Sequence, residues 1–156
     1  MKSKVYVETT VISYLTALSS RDLVLAAHQQ ITREWWERRD RFELFVSQAV
    51  IREAARGQVE AAARRLAAVE GFPLLAIGTE ALQLAERFLR LGVVAAKAEV
   101  DAVHVAVAVV NGMDYPLTWN CAHIANAGVR GRIERTCRDV GLQPPSICTP
   151  EELMEE

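Results

Sequence analysis

The chain has 156 residues, a formal net charge of −2, 51% hydrophobic residues and 24% charged residues. That length fits one domain with a full hydrophobic core, and the balance excludes a disordered chain. The near-neutral charge excludes a general pull toward nucleic acid or membrane, so contact with RNA has to come from a local patch.

Lys4 to Val7 reads as a buried first strand, and Thr9 or Thr10 caps a short helix with Val11, Ile12, Tyr14 and Leu15. A long helix follows from Asp22 to Arg39. Leu23, Ala27, Ile31 and Trp35 recur every four residues and form its buried stripe. Trp35 and Trp36 read as core and edge packing, not as a base-stacking platform. Arg41 to Val46 is the second strand, and Ser47 caps a helix carrying Glu53. Val59 to Val69 is a further helix, closed by the turn Gly71-Phe72-Pro73. Leu74 to Ile77 is a short third strand. Thr79 caps a helix over Glu80–Leu91 that ends at Gly92.

The run from Ala98 to Asn111 is apolar on nearly every side, which predicts a helix buried between layers. Tyr115 to Trp119 is a fourth strand, and Asn126 to Val140 an amphipathic helix. Pro144-Pro145 makes a rigid turn before a last short strand over Ser146–Cys148. Thr149-Pro150-Glu151-Glu152 then reads as a capping box. Strands alternating with helices predict an α/β fold: a three-layer α/β/α sandwich on a mainly parallel sheet, as a single domain over 1–156.

Cys121, Cys137 and Cys148 form no CxxC pair, so neither a zinc site nor a disulfide framework is expected. Reduced thiols fit a cytoplasmic location. The N-terminus shows no basic-then-apolar signal segment, and no apolar run approaches the length of a bilayer span. The basic residues comprise 15 Arg and 3 Lys. Arg38-Arg39-Asp40-Arg41 and Arg130, Arg132, Arg135 and Arg138 are the candidate phosphate patches, although helical spacing also makes them ordinary solvated faces.

Four positions carry the chemistry. Glu8 ends the first strand, Glu53 follows the second, Asp101 opens the apolar helix and Asn120 ends the fourth strand. The carboxyl ends of parallel strands meet at one sheet edge, where ligands bind. Oxygen ligands converging there suit a hard cation such as Mg²⁺ or Mn²⁺. Asp101 is the strongest of the four, because an ionised group inside VDAVHVAVAVV needs a partner. His104 lies three residues on, on the same helix face, as a structural partner or a support for the site. Thr118 can turn its hydroxyl to the same edge. Such a site suits phosphodiester hydrolysis, with carboxylates orienting the ion and one accepting a proton from water. No P-loop, GxGxxG or Ser-His-Asp order appears.

Together VYVETTVISYL, QAVIREAARG and KAEVDAVHVAVAVVNGMDYPLTWNCAHIANA resemble the PIN-domain family, in particular the VapC-like toxins of bacterial toxin–antitoxin pairs. The resemblance runs from the first strand to the terminal ICTPEEL. It implies about five parallel strands and a Mg²⁺- or Mn²⁺-dependent endoribonuclease acting on RNA. Matched residue by residue, Glu8, Glu53 and Asp101 are the catalytic acids, and Asn120 is the fourth position. The metal ligands would be Glu8, Asp101 and Asn120. Thr10 is the small hydroxyl after the first acid, and with Thr118 it would meet substrate. A homodimer and inhibition by a small antitoxin protein are also implied.

The chain departs from that pattern twice: Glu8 stands where Asp is usual, and Asn120 brings no charge. These departures favour the alternative of a degenerate PIN-like domain that binds RNA or protein without cutting. A flavodoxin-like signalling or small-molecule domain shares the architecture as a third reading.

Overall fold

The computed structural model describes residues 1–155. Four strands, β1 (Ser3–Val7), β2 (Phe42–Ser47), β3 (Leu74–Leu75) and β4 (Tyr115–Leu117), form one sheet in the order β3-β2-β1-β4. Every pairing is parallel; Val5 lies opposite Leu44 in β2 and Tyr115 in β4. Valine and aromatic residues favour these extended segments. Central β1 is paired along both edges and packed against helices, so Val5, Tyr6 and Val7 are buried.

Helices α1 (Thr9–Thr16), α2 (Leu23–Glu37), α3 (Gln48–Ala54), α4 (Val59–Ala68), α5 (Thr79–Arg90), α6 (Glu99–Val110) and α7 (Ala127–Asp139) flank the sheet. The predicted elements up to the helix after Asn126 are present, with ends moved by one or a few residues; the last strand and the helix after Thr149 are not. Asp22 caps α2 by accepting from the Leu25 N–H, and Asn126 caps α7 by accepting from the Val129 N–H. Gly112 sits at φ +69° just past α6, a backbone state that other residues enter at a cost.

Two apolar clusters fill the interior. One joins the sheet to α1, α2 and α3 through Val5, Val7, Ile12, Trp35, Val46 and Val50. The other joins α5, α6 and α7 through Phe88, Ala102, Val105, Ala106 and Ile133. As its all-round apolar sequence predicted, α6 contributes to both.

The expected five-stranded sheet is corrected to four. Ser146–Cys148 makes only a single parallel bridge, Leu117 to Cys148. The Cys148 N–H reaches the Pro116 carbonyl, and the Thr118 N–H reaches the Cys148 carbonyl. Pro144 and Pro145 have no N–H to extend this ladder backward, and Pro150 stops it ahead. The capping-box bonds do form between Thr149 and Glu152, but the segment continues as turns and no helix follows.

Trp35 is completely buried in the core, as its packing reading expects, which removes it from any surface of α2 that could meet a second copy. Arg38–Arg41 precede β2 and so lie at the end of the parallel sheet opposite Glu8. Among the second Arg group, Arg130 pairs with Glu152 and Arg138 with Glu134. Among the described residues, no helix is long and apolar enough to cross a membrane.

Candidate functional site

The carboxyl edge of the sheet gathers polar side chains from β1, α1, α3, α6 and the segment after β4. Glu8 leaves β1 and becomes the N-cap residue of α1, where the positive helix end favours its charge. It is 4% exposed. Its Oε1 accepts from the Thr10 hydroxyl at 2.5 Å and the Thr118 hydroxyl at 2.6 Å. Each hydroxyl is itself polarised: Thr10 Oγ1 accepts from the Trp119 N–H and Thr118 Oγ1 from the Asn120 N–H, both at 2.9 Å. Two backbone donors thus feed one carboxylate oxygen through two hydroxyls. Burial nonetheless raises the Glu8 carboxyl above its ordinary range, against the pull of His104 and these donors.

Glu53 lies on α3, and its Oε1 accepts from the Thr9 hydroxyl at 2.6 Å. The same oxygen lies 2.5 Å from His104 Nε2. Burial pushes Glu53 up, but the bond and charge of His104, with Thr9 and Arg56, outweigh it and hold the carboxyl below 4.5. His104 is 2% exposed. Its Nδ1 is 2.6 Å from the Tyr6 hydroxyl, which is 2.7 Å from Ser47 Oγ. Burial lowers the imidazole pKa, but Glu53, Glu8 and Asp101 overcome this and raise it above 6.5. A protonated His104 is then the internal countercharge to a group of carboxylates.

Glu8, Glu53 and His104 each offer one ligand atom within 4.8 Å of the others. The two carboxylates at that spacing suit a divalent ion, whereas His104 ligates only in its neutral form, with Nε2 released from Glu53. The Tyr6 hydroxyl on Nδ1 is the kind of outer partner that orients a ligating histidine.

Asp101 lies in the first turn of α6, half-buried, outside that close group. Burial raises its carboxyl, partly offset by a hydrogen bond with Asn120 and by the charges of His104 and His123. With Glu53, Lys97 and Glu99 it lines an open cleft of about 530 Å³. Asn120 is not simply a ligand arm. Its Oδ1 accepts from the His123 N–H at 3.1 Å, closing the turn after β4, while its amide meets Asp101.

The structure brings Glu8, Glu53, Asp101 and Asn120 to one edge, as their strand and helix ends predict, but links them differently from the sequence expectation. His104 hydrogen-bonds Glu53 and Tyr6, whereas helix spacing had paired it with Asp101. Ser47 does not cap α3 with its side chain, because its hydroxyl is used by Tyr6. Thr118 is 1% exposed, and its hydroxyl holds Glu8. The sequence does not mark Tyr6 or His123, and marks Thr9 only as a helix cap, whereas its hydroxyl donates to Glu53. The signal for Tyr6 was available: a histidine in an apolar helix requires buried partners.

Neither the known family models nor the curated proteins include a match to this chain. Its function has to be read from the site itself.

Proposed function

We propose that the protein is a metal-dependent endoribonuclease of PIN-like fold, hydrolysing RNA phosphodiester bonds as the toxin of a toxin–antitoxin pair. The observation that carries this reading is the convergence of Glu8, Glu53 and His104 within 4.8 Å, with Asp101 beside them at an open cleft. Three carboxylates against one imidazole leave an excess of negative charge that a divalent cation offsets. Glu8 and Glu53 would hold Mg²⁺ or Mn²⁺, with Asp101 and Asn120 completing the oxygen set. When bound, the ion supplies Lewis acidity toward a phosphoryl oxygen and an acidified water.

The chain's own residues do the rest. Thr10 and Thr118 fix the Glu8 carboxylate in one orientation. Tyr6 fixes the His104 ring, and His104 with Thr9 fixes Glu53. Asp101 is our choice for the group that takes the proton from water, since its raised, half-exposed carboxyl faces the cleft. Asn120 positions Asp101. Lys97 on the cleft wall and Arg56 near Glu53 supply positive charge for the RNA backbone. A small antitoxin partner and a homodimer belong to the same proposal.

The test is cleavage of labelled RNAs by the purified chain with Mn²⁺, with Mg²⁺ and with chelator, beside Asp101→Asn. We expect cutting that needs metal and disappears in the variant. A folded protein that cuts nothing under any metal would move the reading to a binding-only domain. Glu8 in place of Asp and the uncharged Asn120 favour that second reading.

A further inference from the structure

Three aromatic rings stack at Trp119, the residue between Thr118 and Asn120, and the proposed cleavage does not use them. Trp119 stands between Thr118 and Asn120 and is buried; its indole N–H donates to Thr32 Oγ1 at 2.8 Å. His28 of α2 lies on the indole, with centroids 4.1 Å apart and planes 13° from parallel. Tyr14 of α1 lies 5.9 Å from the Trp119 ring and 6.4 Å from His28, at 13° and 16°. The three planes are nearly parallel.

Packing accounts for Trp119, which is buried and fully bonded. It does not account for the other two. Tyr14 and His28 are only half-buried. Among the described residues, neither the Tyr14 hydroxyl nor the His28 ring nitrogens have a hydrogen-bond partner. They therefore offer flat apolar area with free polar edges. The stack is tied to the candidate centre through Trp119, whose backbone N–H donates to Thr10 Oγ1 and whose neighbour Thr118 donates to Glu8. A nucleobase has the matching chemistry, a π face and an edge of donors and acceptors. A phosphate has no π face to stack on these rings, and its charge meets the nearby carboxylates unfavourably.

We propose that Tyr14 and His28, backed by Trp119, form a stacking ledge for an unpaired base of a single-stranded RNA lying over the Glu8–Glu53–Asp101 cluster. This rests on that cluster being an RNA site. Bases inside a duplex have both faces covered by their neighbours, so the ledge favours single strands over duplexes.

The experiment measures binding of a dye-labelled single-stranded RNA to the full chain in chelator, then cleavage of the same RNA with Mn²⁺. Tyr14→Ala is expected to weaken binding about tenfold, and Tyr14→Phe, which keeps the ring, to stay within about twofold of the parent. A duplex of the same sequence should bind more weakly than the strand. In cleavage, Tyr14→Ala should raise KM and leave kcat nearly unchanged. His28→Ala is the second variant, expected to weaken binding in the same direction if Tyr14→Ala does not fold. Parental affinity in the folded alanine variants, or equal affinity for strand and duplex, overturns the ledge. Strand binding that needs Tyr14 without cutting under any metal keeps the ledge and removes the nuclease. Cutting that needs Asp101 with a KM indifferent to Tyr14 does the reverse.

Discussion

At the residue scale, the centre is defined by how four titratable groups displace one another. In the metal-free protein, His104 has a folded pKa above 6.5, so its stabilising charge is fully present below that value and is lost as pH rises through the raised one. Glu8 and Asp101 are raised as well, and the fold meets their desolvated charge increasingly as pH climbs through their folded values. Glu53 has the opposite sign: its contribution is present above 4.5 and lost as pH falls through its lower folded value. The predicted outcome is a thermal midpoint that is highest at weakly acidic pH and declines toward alkaline pH. Scanning calorimetry in chelator from about pH 5 to about pH 9 reads this directly. In His104→Gln the alkaline decline should be shallower. A flat profile for the parent protein would refute the sign assigned to His104.

At the element scale, the turn between β4 and α7 decides where Asn120 and His123 stand. Asn126 closes it twice. Its Oδ1 accepts from the Val129 N–H, and its Nδ2 donates to the Cys121 and Ala122 carbonyls. Asn126→Ala is predicted to cost about 1–2 kcal/mol in urea unfolding, as loss of a helix cap does. It should also lower kcat with little change in KM, because it loosens the Asn120 contact to Asp101 and touches no proposed RNA contact. Unchanged turnover would show that the turn has no part in aligning Asp101. The same scale explains the misread fifth strand: its hydrophobic letters suit a strand, but prolines on both sides limit it to one bridge.

At the scale of the whole molecule, a divalent ion at the carboxylates would couple β1, α3 and α6. Binding only to the folded chain, it adds about 2.7 kcal/mol of stability at a hundredfold excess over Kd. We predict that Mn²⁺ or Mg²⁺ raises the thermal midpoint of the parent protein and not that of a Glu8→Gln, Glu53→Gln double variant. Equal midpoints with and without ion in the parent protein would leave the cluster as a self-neutralised network built around His104.

The sequence by itself determined the alternation of strands and helices, the burial of α6 and the return of Glu8, Glu53, Asp101 and Asn120 to one edge. Period, turn residues and parallel connectivity are local or topological properties, so they can be read along the chain. Only the tertiary structure decided the links: His104 to Glu53 and Tyr6, the two threonines onto Glu8, Asn120 onto Asp101, and Tyr14 with His28 beside Trp119. Most of these contacts join residues far apart in the chain. Which oxygen or ring is nearest depends on ångström-scale packing of separate elements, and no sequence spacing encodes it.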